Sequence, residues 1–243
     1  PYYIMGNGSN LLVGDKGCRG GIVQVFKQMS DVYADGERVY AQAGALLSKT
    51  AAVACEASLT GMEFASGIPG TLGGALRMNA GAYGGEMKQI VESAEVLTSE
   101  GEVLNLTNEE LGMGYRTSVI AKNDYVALSA VLKLEKGDRQ EIRAYMEDLK
   151  ERRVTKQPLE FGSAGSTFKR PEGYFAGKLI QDSGMQGYRV GDAQVSEKHC
   201  GFVINRGNAT AAEVMQLMKD VADRVEEKFG VRLEPEVRRI GEF

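Results

Sequence analysis

Between Phe64 and Glu86 the chain reads FASGIPGTLGGALRMNAGAYGGE, with glycine at 67, 70, 73, 74, 81, 84 and 85. Each glycine inside a helix or strand costs roughly 0.5–1 kcal/mol relative to alanine, so no single regular element can run through this segment. It has to be loop and short elements. Amides without side chains are what a chain presents where its backbone closes on a ligand. The 31 glycines of the 243-residue chain fall in such clusters, separated by well-patterned segments, so they do not form a low-complexity tract.

A second cluster, GNGSNL at 6–11, has two of the three glycines of a dinucleotide fingerprint. Leu11 stands at the third position and the chain continues as LLV instead of opening a helix, which disfavours a Rossmann NAD site. The successive amides of Gly6, Asn7, Gly8, Ser9 and Asn10 suit an anion-binding concavity. Taken alone, the motif is equally well explained as a hairpin turn with an Asn-Gly step. Two glycine nests in one chain fit an extended diphosphate ligand such as FAD better than a compact ion, the alternative being a glycine-rich structural crossover.

The remaining pattern is mixed. IMGNGSNLLVGDKG, GIVQVF and VYAQAG read as β structure, residues 94–106 as a hairpin turning around Ser99–Gly101, and 125–134 as a strand. The helix formers from Ala45 to Leu59 end at Gly61. Asp138 with Glu141 and Thr210 with Glu213 are capping-box signatures, which predict helices over about 139–153 and from 211 to the stop at Gly230. A last strand follows in VRLEPEVRRIG. The class expected is α+β, with changes of pattern near 155 and 230.

Composition narrows the function classes. With 29 Lys plus Arg against 33 Asp plus Glu and no basic strip, nucleic-acid binding is not expected. No stretch approaches the roughly 18 apolar residues of a membrane span, and PYYIMGNGSN is unlike a secretory signal, so a cytoplasmic location is expected. Cys18, Cys55 and Cys200 form no CxxC pair and His199 is the one histidine, so neither a disulfide framework nor a metal site is expected. Cys55 and Cys200 read as small core residues, and His199, ahead of the apolar GFVIN, as structural.

Six segments taken in order, GNGSNLLV, GIPGTLGGALRMNAGAYGGE, YRTSV, SAGSTFKRP, GYRVGDAQVSEKHCGFVIN and LEPEVRRIG, resemble the UDP-N-acetylenolpyruvoylglucosamine reductase family. The resemblance runs through nearly the whole chain. It implies the FAD-binding fold of the vanillyl-alcohol-oxidase superfamily over 1–155, a smaller α+β substrate-binding domain over 156–230, and a strand over 231–243 returning to the first. Family members carry a further segment ahead of GNGSN, so the N-terminal part of the FAD domain is expected to be missing. The short path from YRTSV to SAGSTFKRP resembles the type II enzymes, which lack an extra substrate-covering loop.

The implied reaction is reduction of UDP-N-acetylglucosamine-enolpyruvate with NADPH as donor and non-covalent FAD as carrier, in a monomer. By the family match Ser166 is the proton donor, Arg116 binds the substrate carboxylate, and Glu236, preferred over Glu234 by the EVR tripeptide, hydrogen-bonds the enolate-like intermediate. Cofactor contacts are expected from Gly6, Asn7, Gly8, Ser9, Asn10, Gly67, Ile68, Pro69, Gly70, Gly73, Gly74, Asn79, Gly81 and Ala82. Lys156 and Arg170 suit the UDP diphosphate. Read from the residues alone, Ser166 is a turn residue, Arg116 a surface ion pair, and Lys156 and Arg170 solvated charges. Two rival readings are a flavin oxidase or dehydrogenase of the same superfamily and a non-catalytic UDP-sugar-binding module.

Overall fold

The computed structural model describes all 243 residues, Pro1–Phe243. They form two compact units, a larger one of residues 2–8 and 22–153, and a smaller one of residue 1, 9–21 and 154–243. The division differs from the expected one in that residues 9–21 and 231–243 both group with 154–230.

The larger unit is built on a five-stranded antiparallel sheet. Its strands lie in the order Val103–Thr107, Val91–Leu97, Val126–Lys133, Arg38–Gln42 and Val32–Asp35. Ala94, Ala130 and Ala41 pair across three neighbouring strands, and all three are buried. This row of small side chains lets the short helix Leu72–Met78 settle closely on the sheet. Its first turn is tied down by Leu72 and Gly73, whose amides donate to the carbonyls of Ala45 and Ala43. A Cβ on Gly73 would lie 3.0 Å from that of Ala43.

The helix expected over 45–59 is Leu47–Glu56. The chain leaves it early because Leu59–Thr60 pairs with Glu135–Lys136, a long-range strand contact that overrides local helix propensity. Ser58, with φ 57°, makes the left-handed exit expected of Gly61. The hairpin is as expected, with Thr98 Oγ1 accepting from the amides of Glu100 and Glu102 inside its turn. Asp138 Oδ1 accepts from the Gln140 and Glu141 amides at the head of the helix Arg139–Lys156, one turn longer than expected.

In the smaller unit, a three-stranded sheet of Arg189–Val190, Ala193–Val195 and Val203–Asn205 is packed by the helices Ala176–Asp182 and Ala211–Phe229. The second helix has the reciprocal Thr210–Glu213 capping box and ends on left-handed Gly230. Asp15 adds a second cap, its carboxylate accepting from the amides of Ala211 at 2.6 Å and Ala212 at 2.9 Å. Asp15→Ala therefore removes a cap from the longest helix while leaving the box, and thermal unfolding should show a loss of about 1 kcal/mol.

The opening segment departs from the hairpin alternative. Tyr2–Met5 pairs with Gly21–Gln24, whereas Leu11–Val13 pairs in parallel with Arg238–Ile240. The two apolar runs flanking Gly6–Asn10 thus never pair with each other, and GNGSN is a crossover between separate sheets. The last strand is also shorter than VRLEPEVRRIG. Its first half meets the chain through an isolated bridge between Pro235 and Phe168 and the bonds Lys169 N–H to Glu234 O and Glu236 N–H to Thr167 O.

Candidate active site

A cleft in the larger unit encloses about 440 Å³ of empty space, part of it open to solvent. Its walls come from Gly6, from Gly73 and Gly74 of the helix start, and from Ala43 and Ala127 of the sheet, with Thr71, Arg77 and Tyr125 as polar groups. Small residues at each wall let a flat or extended ligand lie against backbone. A Cβ on Gly6 would meet Thr71 Oγ1 at 2.2 Å, and Thr71 is only 2% exposed. The cation at the rim, Arg77, is held by the Ile120 carbonyl and by Asp124 at 2.8 Å. A glycine-walled cleft with a cation at its rim fits part of an FAD lying against backbone. Thr71 and Arg77 were not among the expected residues, and nothing in their local sequence distinguishes them.

The other expected cofactor residues divide. Asn7 Nδ2 donates to the Pro69 carbonyl, so GNG and GIPG are joined directly, and Gly8 is left-handed at φ 70°. Several glycines serve protein packing. A Cβ on Gly81 would lie 2.6 Å from the Gly85 carbonyl oxygen, and one on Gly85 would lie 2.5 Å from the Phe64 ring. Gly81–Ala82 is a two-residue strand paired with Gly85–Glu86. The Asn79 side chain is engaged within the fold. Left-handed at φ 46° and 1% exposed, the residue donates to Glu86 and the Gly114 carbonyl and accepts from the Lys88 amide, so its carboxamide is a clamp inside the fold. Asn10 Nδ2 donates to the Glu236 carbonyl, and the Asn10 main-chain carbonyl accepts from the Arg238 amide, fixing the last strand.

Arg116 and its neighbour Tyr115 form a two-residue loop closed by mutual bonds between Gly114 and Thr117. Arg116 is left-handed at φ 54°, an unfavourable conformation for a long side chain, and its guanidinium lies 5.1 Å from the Tyr115 ring centroid.

In the smaller unit, Ser166 begins an extended run, 166–169, that lies between 201–203 and 234–236. Buried Thr167 anchors the run, its hydroxyl accepting from the Val203 amide and its carbonyl from the Glu236 amide. Ser166 itself is exposed, after left-handed Gly165, and Glu236 is half-buried on the adjoining strand. The structure thus brings Ser166 and Glu236 onto neighbouring backbones and leaves the serine hydroxyl open. Arg170 stacks 3.9 Å from the Phe175 ring centroid, and Lys156 is exposed at the end of its helix.

His199 is half-buried. Its Nδ1 accepts from the Gly201 amide and its ring meets Phe202 edge-on. Burial lowers its pKa, and the charge of Lys156 acts in the same direction. Below the unfolded value of about 6.5 the unfolded chain binds a proton that the native imidazole resists. Stability is therefore fully present above that pH and is lost as pH falls. Melting temperatures of wild type and His199→Gln should diverge on acidification, wild type falling further below pH 6.5. Cys55 and Cys200 are buried in the core, as expected. No helix is long and apolar enough to cross a membrane.

Comparison with known proteins gives a consistent pattern. Residues 1–107 match the family model of an FAD binding domain, and 157–240 that of the C-terminal domain of UDP-N-acetylenolpyruvoylglucosamine reductase. The whole chain is 60% identical to the UDP-N-acetylenolpyruvoylglucosamine reductase of Alkaliphilus oremlandii, over 80% of that protein's length. The corresponding protein of Agathobacter rectalis is 54% identical, with 81% of its length covered. Among solved structures, the UDP-N-acetylenolpyruvylglucosamine reductase of Thermus caldophilus superposes with a TM-score of 0.86 at 37% identity, over 99% of this chain and 85% of that one.

Proposed function

Because the chain belongs to the UDP-N-acetylenolpyruvoylglucosamine reductase family, we propose that it reduces UDP-N-acetylglucosamine-enolpyruvate to UDP-N-acetylmuramate for peptidoglycan synthesis, with FAD as carrier and NADPH as reductant. The observation that carries this reading is the glycine-walled cleft, where a Cβ on Gly6 would strike buried Thr71, within a segment that matches an FAD-binding domain. Backbone around Gly6–Gly8, Gly67–Gly70 and Gly73–Gly74 would hold the cofactor, with Thr71 and Arg77 at its edge. When bound, FAD supplies hydride chemistry, accepting from NADPH and donating to the enolpyruvyl group.

The chain's own residues supply the rest. Arg116, on its strained turn, binds the substrate carboxylate through a fixed, planar charge and stabilises the enolate that forms as hydride arrives. Glu236 hydrogen-bonds the same carboxylate region. The exposed hydroxyl of Ser166 delivers a proton to the α-carbon, a transfer that suits an alcohol because the acceptor is a strongly basic carbon. Lys156 and Arg170 bind the diphosphate of the nucleotide sugar. A cytoplasmic location suits these substrates.

Mass analysis of the sugar after incubation with NADPH tests the reading. Gain of the mass of two hydrogens, in step with loss of NADPH absorbance, is expected. A sugar recovered unchanged from FAD-loaded protein would contradict it.

A further inference from the structure

Arg153 stands in the last turn of the helix Arg139–Lys156, in the larger unit. Its neighbour Arg152 makes an ordinary exposed ion pair with Asp148 at 2.7 Å. Arg153 does not. Its Nε is fully enclosed and has no hydrogen-bond partner, and no carboxylate reaches the guanidinium. An enclosed, unsatisfied donor on a cation is among the least favourable arrangements a fold can keep, and such a group commonly marks where a ligand atom belongs. Burial lowers the pKa of Arg153, and the Tyr83 phenol opposes that shift through its charge and a side-chain hydrogen bond, which leaves Nε as the unpaired donor.

Two loops confine the group. On one side is the GIPG turn, where a Cβ on Gly67 would lie 2.9 Å from Arg153 Nε. On the other is the Tyr83 ring, its centroid 5.7 Å from the guanidinium carbon. Tyr83 is itself held in an unfavourable conformation. It occupies the first position of the two-residue loop between Gly81–Ala82 and Gly85–Glu86, with φ 53°. Glycine, asparagine or aspartate suits that position, and a bulky aromatic does not. Tyr83 is 40% exposed, so core packing does not account for it.

We propose that Arg153, propped by Tyr83 against the Gly67 turn, holds the negative charge that the flavin ring carries when reduced. The proposal rests on the FAD reading above. Gly67 and Tyr83 both lie in the stretch that matches an FAD-binding domain, which favours the cofactor over the sugar as the occupant. Ring and diphosphate are separable by experiment, because a cation beside the diphosphate binds oxidised and reduced FAD alike. A cation beside the ring instead favours the reduced form.

The test is the two-electron potential of the FAD-loaded full chain, measured with the affinity for FAD in each redox state and for the enolpyruvyl sugar. Arg153→Met should weaken reduced relative to oxidised FAD about tenfold, which lowers the potential by about 30 mV. Arg153→Lys should recover part of that shift. Tyr83→Gly relaxes the turn, so it should fold at least as stably while lowering the potential by a smaller step. An unchanged potential in folded Arg153→Met, or a loss equal in both redox states, or a loss confined to sugar affinity, would each overturn the assignment. Wild-type protein that takes up no FAD, or whose reduced FAD the sugar cannot reoxidise, would instead refute the reductase reading on which it rests.

Discussion

Ser166→Ala should slow reoxidation of the reduced protein by the enolpyruvyl sugar about 10²- to 10⁴-fold, the range that a positioned proton donor contributes. Uptake of FAD and its reduction by NADPH should be unchanged. The separation follows from where the residue sits. Thr167 and Phe168 are buried and carry the anchoring contacts of the extended run, whereas Ser166 is exposed at its start. Removing one hydroxyl from an exposed position leaves those contacts intact, so the loss reports chemistry and not folding. Rapid-mixing absorbance resolves the two half-reactions. Equal slowing of both, or of neither, would remove Ser166 from the proton-donor role.

Gly6→Val acts on the other half of the site. The new Cβ starts 2.2 Å from Thr71 Oγ1, and Thr71 is buried and β-branched, so it has little freedom to withdraw. Either Thr71 is pushed across the cleft or the valine fills it. Overpacking of this kind costs about 1–3 kcal/mol. Expressed in FAD binding, that is a loss of about 10- to 100-fold. Gly6 lies after a short edge strand and not in the core, so the fold should persist, and titration of apoprotein with FAD checks both points. Unaltered FAD affinity would mean that this cleft is not the cofactor site.

How much of this was legible in the sequence depends on the range of the interaction involved. Asp138 and Thr210 announce helices because a cap acts within three residues of itself. The end of the helix Leu47–Glu56 was not legible, because it is set by pairing of Leu59 with Lys136, far along the chain. The glycine clusters suggested backbone packed against a ligand. Sequence did not reveal that for Gly85 the partner is Phe64, or for Gly81 the backbone of Gly85, since only the tertiary fold supplies those neighbours.

Asn10 was expected at the cofactor because an amide side chain among glycines suits a phosphate, and Asn79 because it lies in the second glycine cluster. The side chains of both hold distant backbone. Ser166, Arg116 and Glu236 came from family resemblance, and their local sequence alone favoured ordinary turn and surface roles. Arg152 and Arg153 are adjacent and chemically identical, and only burial separates a surface ion pair from a half-buried cation whose Nε has no partner.

The central claim is that one chain takes electrons from NADPH onto FAD and passes them to an enolpyruvyl sugar. Anaerobic absorbance spectroscopy of the FAD-loaded protein tests it most directly. Flavin bands that bleach on addition of NADPH, and return only when UDP-N-acetylglucosamine-enolpyruvate is added, are the predicted result. Bands that stay bleached after the sugar is added would contradict the account.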